Sequence, residues 1–412
     1  MQNPYDTLIE KNLIHIVSDN CPQFLVSDDI YNETAVAVNL YYEDTLEFYF
    51  TYLENIPDAI SIYIYSANEM IWKRIEQYVS QHNNVFFYKK ENRGRDLSAF
   101  LVAFREIALK KQFLCFLHDK KEKSSYFKED TVNWIKNLWG NTVCSKAYIQ
   151  NVLGVLNNSQ IGILTPPIPF GEHFPYWYIN RWGKENFSLA EQLICKLKIK
   201  CSLERKKIPI TLGSVFWCRM EAIRKILEYE WSYEDFDGEP LPDNGTVSHA
   251  MERIFAYAAQ DAGYSTAWIM CSQYAQNLIL RLWQQGRNAY EILERNGIAR
   301  NPDELVRLDR QRDRIEEFCR KSSSVFLYGA GFEGRRFANW MHLWGLRADG
   351  FVVTDKTIMP EILHGIPIYA FGEISVDKSI GVIITVGDEL RGEIEEAVRR
   401  RGIVRYYIPY EI

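Results

Sequence analysis

The chain has 412 residues, 47% hydrophobic and 25% charged, with a formal net charge of −6 at pH 7; this is the composition of a globular protein of two or three domains. The acidic balance leaves no Lys/Arg excess to neutralise a phosphate backbone, so nucleic acid is not an expected partner. No apolar run nears the roughly 20 residues of a membrane-spanning helix, MQNPYDTLIEKN lacks the basic start and apolar core of a signal peptide, and the eight cysteines form no CxxC pair, which argues against zinc and a disulfide scaffold and for reduced thiols in the cytoplasm.

Residues 1–33 read as a polar, irregular extension. AVAVNLYY (35–42) then reads as a buried strand, EDTLEFYFTYLEN (43–55) has helical spacing, AISIYIYS (59–66) is a second strand and NEMIWKRIEQYVSQH a second helix. NVFFYKK (84–90) is a third strand, DLSAFLVAFREIALK a helix and QFLCFLHD a fourth strand. Short apolar strands alternating with helices predict a parallel α/β sheet. Further on, QIGILTPP (160–167) reads as a strand, PFGEHFPYWYINRWG (169–183) as an aromatic-rich loop and TLGSVFWCR (211–219) as a strand. MEAIRKILEYE is helical, DFDGEPLPDNGT (235–246) is a loop, and SHAMERIFAYAAQDAG is a helix closed by Gly263. NPDEL (301–305) is a helix start, with Asn301 as cap and Pro302 in the first turn. Residues 291–322 read as a helical connector. The strand and helix signals from 323 to 412 then predict a small Rossmann-like α/β module.

Two loops carry charge where strands end, the edge at which ligands gather in a parallel sheet. The first is ENRGRDLSAF, with Asn92, Arg93, Gly94, Arg95 and Asp96 opening a helix. Arginines beside a helix N-terminus suit an anion, and Asp96 can cap the helix or take a ligand hydroxyl. The second is His118, Asp119, Lys120 and Lys121, where Asp119 could hold a metal or a ribose hydroxyl and the lysines could neutralise a diphosphate. An ordinary capped turn and a solvated lysine loop are the plainer readings. In HAMERIF, His249, Glu252 and Arg253 share a helix face. Either His249 or Glu252 could take a proton in catalysis, or the Glu and Arg could form a surface pair; Glu239 and Asp243 are rival bases. Tyr176, Trp177, Tyr178 and Trp182 could stack on sugar rings or simply hold down their loop. Gly329, Gly331 and Gly334 form a GxGxxG after a strand, with Asp355 at the end of the next strand, the pattern of a nucleotide site.

NRGRDLSAFLVAF, FLHDKKEKS, GSVFWCR and HAMERIF, in that order, resemble the rhamnan synthesis F family of bacterial polysaccharide glycosyltransferases over roughly residues 30–285. The resemblance implies a GT-A-like (Rossmann-like) glycosyltransferase domain at 34–290. It implies inverting transfer of a sugar, typically rhamnose from dTDP-rhamnose, to a glycan or lipid-linked glycan acceptor. In that picture residues 92–96 and 118–121 bind the nucleotide-sugar. Glu252 stands at the acidic base, with His249 assisting, and Gly213, Phe216, Trp217 and Trp177 line the acceptor side. GT-A enzymes typically hold Mg or Mn with Asp-x-Asp; here His118-Asp119-Lys120 leaves Asp119 as a single acid, with the lysines or Arg95 as alternative counter-charges. The implied setting is cytoplasmic, at the inner face of the membrane, beside other polysaccharide-assembly enzymes. The C-terminal module would bind a nucleotide or join subunits into an oligomer. Two rivals stay open: an NAD-dependent oxidoreductase or epimerase built on GAGFEG, and a non-catalytic assembly scaffold.

Overall fold

The structure, a computed structural model, describes residues 13–121, 128–167, 182, 185–205, 211, 213–242, 244–299, 301–357 and 359–409. The chain divides into two units, Met1–Leu278 and Ile279–Ile412. Among the described residues the first unit carries an eight-stranded sheet. Its spatial order is β1 (Ile14–Val17), β8 (Ser265–Cys271), β6 (Ile161–Thr165), β7 (Phe216–Arg219), β5 (Phe113–His118), β2 (Thr34–Asn39), β3 (Ser61–Ser66) and β4 (Val85–Lys89). β2 and β5 are buried at every residue, as their unbroken apolar runs require. Side chains alternate between two cores: Val36, Val38, Cys115 and Leu117 pack on one face, and Ala35, Ala37, Leu114 and Phe116 on the other. The helices Leu46–Leu53, Glu69–Val79 and Lys146–Asn157 cover the first face; Asn186–Lys196 and Val247–Asp261 cover the second.

The four strands expected between residues 35 and 119 lie parallel to one another, and the sheet as a whole is mixed because β7 runs antiparallel to both neighbours, with Cys115 opposite Trp217 and Leu164 opposite Trp217 on the other side. The chain enters β7 at the edge where β5 and β6 end, so no crossover returns it to the far edge first. Residues 13–33 are more than the expected extension. Ile14–Val17 adds an edge strand along β8, from Ile14 opposite Trp268 to Val17 opposite Cys271. Asn151 fastens the following turn, donating to the carbonyls of Ser18 and Cys21 at 2.9 and 3.0 Å. Four residues of half-buried edge strand give too little pattern to read from sequence.

The second unit holds β9 (Val325–Tyr328), β10 (Gly350–Val353), β11 (Ile362–Leu363), β12 (Ile366–Ala370), β13 (Gly381–Ile384) and β14 (Tyr406–Tyr407). They lie in the order β11-β12-β10-β9-β13-β14, parallel except for the β11–β12 hairpin. The order reverses between β9 and β13, the Rossmann-like arrangement expected. Residues 291–322 do more than connect: Leu308 and Ile315 join the core of Phe337 and Trp340, and buried Glu304 pairs with buried Arg336. The cap is as predicted, with the Asn301 side chain accepting the Glu304 N–H at 2.8 Å and Pro302 in the first turn.

Candidate functional site

His118 is the last residue of β5 and is buried. Its Nδ1 lies 2.9 Å from the Asp119 carbonyl oxygen and its Nε2 2.6 Å from that of Gly213. Nε2 is also 3.7 Å from Asp96 Oδ2, so the two expected loops meet at this ring. Asp119 is buried beside it. Its Oδ2 accepts the N–H groups of Tyr41 and Tyr42 at 2.6 and 2.7 Å, which ties down the loop after β2. Burial pushes this carboxyl up to about 6, while the two amide donors and His118 pull it back. Lys120 donates its backbone N–H to Tyr49 Oη at 3.0 Å, and its ammonium sits 3.4 Å from the Trp134 ring centroid. Lys121 pairs with Asp44 at 2.6 Å.

For a divalent ion on Asp119, the Oδ2 oxygen is already taken by the amides of Tyr41 and Tyr42. Among the described residues no three His, Cys, Asp or Glu side chains gather as a metal would need.

The 92–96 loop is built by long-range contacts. Arg93 forms a bridge with Gly238, and its Nε donates to the Phe236 carbonyl at 2.8 Å, so this arginine holds a loop rather than standing free. Gly94 has φ +72°, and a Cβ there would lie 2.6 Å from the Phe236 ring and 2.8 Å from Ser98. Only glycine meets both demands. Asn92 and Arg95 are exposed, and Arg95 Nε lies 3.9 Å from Glu239. The predicted helix breaks into the turn Arg95–Ser98, a π segment Ala99–Ala103 and Arg105–Ala108.

Two further groups join this edge. Lys90 follows β4, donates to the Glu91 carbonyl at 2.7 Å, and is pulled down to about 8 by burial despite the nearby carboxylates of Asp96 and Glu239. Tyr42 feels Asp119, Arg95 and Asp96, and burial raises its phenol above the ordinary value. The sequence signal for Lys90 was the same step from strand to charge that marks His118.

Gly213 connects these loops to the helix Val247–Asp261. Its carbonyl faces His118 and its N–H donates to Glu252 Oε1. Glu252 Oε2 takes Arg253 at 2.9 Å, and Arg253 also donates to the His249 carbonyl at 2.5 Å. Both Glu252 oxygens are therefore engaged. His249 Nδ1 lies 2.7 Å from Thr246 Oγ1, and burial lowers its pKa, with Glu252 and Asp96 opposing. Ser248 donates to the Gly94 carbonyl at 3.4 Å, which draws the helix start against the arginine loop.

Phe216 and Trp217 are not at an acceptor side. Both are fully buried: Phe216 packs on Phe100, Phe116 and Phe255, and Trp217 donates to the Thr142 carbonyl at 2.9 Å. They point to opposite faces of a strand that has a core on each side. Trp182 is also buried, edge-on to Phe187. Lys123, Tyr176, Trp177, Tyr178 and Asp243 lie outside the described residues. A cavity of about 320 Å³ opens at the opposite edge of the sheet, between Lys110, Arg219 and Tyr264, and shares no residue with these loops.

In the second unit the GxGxxG glycines have separate roles. Gly329 has φ +111°, and a Cβ on it would lie 2.9 Å from Val386. A Cβ on Gly334 would collide with the Gly329 carbonyl, whereas Gly331 faces open space. Asp355 is exposed after β10 and accepts the Thr357 N–H at 2.8 Å.

Fold and site together define an α/β protein with a mixed sheet, whose charged loops converge at the ends of β2, β4 and β5, followed by a Rossmann-like module. Residues 5–264 match the model of the family Rhamnan synthesis protein F. The chain belongs to that family, which ties it to rhamnan-type polysaccharide synthesis. It is also similar to an uncharacterized protein, WxcX, of Xanthomonas campestris pv. campestris strain B100, with 26% identity over 179 residues covering 42% of this chain and 24% of that protein. WxcX of strain ATCC 33913 is 36% identical over 52 residues, 13% of this chain and 8% of that protein. The match thus spans a quarter or less of these curated relatives. Among the described residues no helix is long and apolar enough to cross a membrane.

Proposed function

We propose that the chain is a glycosyltransferase that moves a sugar, rhamnose from dTDP-rhamnose or a close relative, onto a glycan or lipid-linked glycan, with inversion. The observation that carries this is the meeting of Asp96, His118 and Gly213 at one strand edge in a chain of the rhamnan synthesis protein F family. Asn92 and Asp96 take donor hydroxyls. Arg95, Lys90 and Lys121 answer the diphosphate charge in place of a metal, with Lys120 adding to the field. His118, Asp119, Arg93 and Gly94 hold the loops in position. The acceptor lies towards Gly213, and Trp177 is kept as a sugar-stacking candidate.

His249 is the base in this reading, since Glu252 is engaged on both oxygens. When Nδ1–H donates to Thr246 Oγ1, Nε2 keeps its lone pair, and burial keeps the ring neutral near pH 7. It takes the acceptor hydroxyl proton as that oxygen attacks the sugar's anomeric carbon. The bond from that carbon to the diphosphate oxygen breaks, and the nucleoside diphosphate leaves with the electron pair. In the second unit Gly329, Gly331, Gly334 and Asp355 would receive a nucleotide, and the module could join subunits. The reaction would take place in the cytoplasm at the inner membrane face, beside other assembly enzymes.

The test is donor hydrolysis and transfer across a panel of nucleotide-sugars, with and without EDTA. Turnover of a dTDP-sugar that survives EDTA is expected. No turnover and no thermal shift with any nucleotide-sugar would favour the scaffold, and a shift with NAD alone the oxidoreductase.

A further inference from the structure

The eight cysteines are all free thiols, and two of them meet. Cys144 follows the helix Lys128–Val143, and Cys271 is the last residue of β8, over a hundred positions away. The Cys144 thiol donates a hydrogen bond to the Cys271 sulfur. Their neighbours hold them together. Ser145 Oγ donates to the Asp19 carbonyl at 2.6 Å, and Ser272 Oγ donates to the Asp19 carboxylate, so one residue grips the chain beside both thiols. The Cys271 N–H donates to Asn141 Oδ1 at 2.9 Å, which joins β8 to the last turn of the helix before Cys144.

The two sulfurs differ in their surroundings. Cys271 precedes the helix Ser272–Arg295, and its Sγ accepts the Tyr274 N–H at 3.4 Å, one of the amides that a helix start leaves without a helical partner. The Cys144 donor, with this amide, holds the Cys271 thiol below its ordinary value against burial. Burial pushes the thiols of Cys115 and Cys218 the other way. Those two sit on adjacent strands but face opposite cores, so they cannot bond to each other. Cys271 is 7% exposed and Cys144 beside it is half-buried, which leaves the pair within reach of a small solute.

We propose that Cys144 and Cys271 form a dithiol site that hydrogen peroxide converts to a disulfide. The Cys271 thiolate attacks one peroxide oxygen, the O–O bond breaks, and the other oxygen leaves as hydroxide and takes a proton to become water. Cys271 is then a sulfenic acid. The Cys144 sulfur attacks the Cys271 sulfur, the S–O bond breaks, and that oxygen leaves as water with the Cys144 proton. Two thiols are oxidised and one peroxide is reduced to two waters. A thiol reductant restores the pair by exchange. The bond pins to β8 the helix whose Trp139 indole N–H donates to the His118 carbonyl at 3.1 Å. This chemistry is independent of sugar transfer, and its test needs no donor.

The full chain, reduced and then freed of reductant, is treated with hydrogen peroxide. Its remaining thiols are alkylated in denaturant and its peptides read by mass spectrometry. A peptide linking Cys144 to Cys271 is expected, removed by dithiothreitol, with Cys115 and Cys218 alkylated. Cys144→Ser should leave Cys271 as a sulfenic acid that dimedone traps, whereas Cys271→Ser should leave Cys144 a thiol. The wild-type measurement needs neither variant. Cys144 and Cys271 still alkylated at a peroxide dose that oxidises the exposed Cys21 would overturn the proposal. So would a link that forms only in protein unfolded by urea, or Cys271 linked to Cys21 in place of Cys144.

Discussion

The two units present charged loops at their strand ends in opposite ways. In the first, the polar groups bind one another across long stretches of chain: Asp119 holds the amides after β2, Arg93 holds Phe236, and Glu252 holds Gly213. In the second, Gly331 faces open space and Asp355 bonds two residues along the chain. The first edge is fixed before any ligand arrives, whereas the second is a bare cradle made by a local motif. Preorganisation of the first kind ties activity to stability at the same residues; the second kind leaves them separable.

That contrast can be broken most directly through the proposed base. His249→Ala should cut transfer by about 10²–10⁴-fold with donor binding kept, and Glu252→Gln, which still accepts from Gly213, should keep most of the activity. The reverse result would return the base to Glu252. Next comes backbone geometry. Gly94→Ala meets both a positive φ and the Phe236 ring, so it should lose about 2–4 kcal/mol in denaturant unfolding of the first unit. Gly331→Ala should leave stability alone and weaken nucleotide binding to the second unit.

Asp119→Ala leaves two amides without an acceptor and should cost about 2–3 kcal/mol, whereas Asp355→Ala should leave the melting curve unchanged. Lys90 gives the smallest effect. Its pKa is near 8 in the folded state instead of the ordinary 10.5, so its buried charge opposes folding below pH 8, and the penalty fades as pH rises towards 10.5. Lys90→Met should therefore stabilise the protein by about 1–3 kcal/mol at pH 7, with the gain vanishing at high pH, and should weaken donor binding. A flat difference across that range would mean that Lys90 carries no such penalty.

Much of the frame was legible in the chain because its signals are local. β2 to β5 declare themselves as apolar runs between helices, and the residues that end β5 and follow β4 mark the site edge. GAGFEG after β9 is local too. What escaped depends on distant partners. Phe216 and Trp217 read as acceptor lining, and only the two helical layers make them core. The charge of Glu239 near Lys90 and the grip of Arg93 on Phe236 join residues over a hundred positions apart. The reversal of β7 is a matter of which edge the chain enters from, and no residue in GSVFWCR encodes that.

Gly213 has a consequence of its own. Its carbonyl oxygen faces His118 and its N–H donates to Glu252, so the two peptide planes that meet at its Cα are held one from each side. The end of β5 and the helix bearing His249 are thereby joined through one residue. A double-mutant cycle between His118 and Glu252 should therefore show cooperative, not additive, losses. Whatever reaches the donor loops is then transmitted to the helix of the proposed base through a single residue.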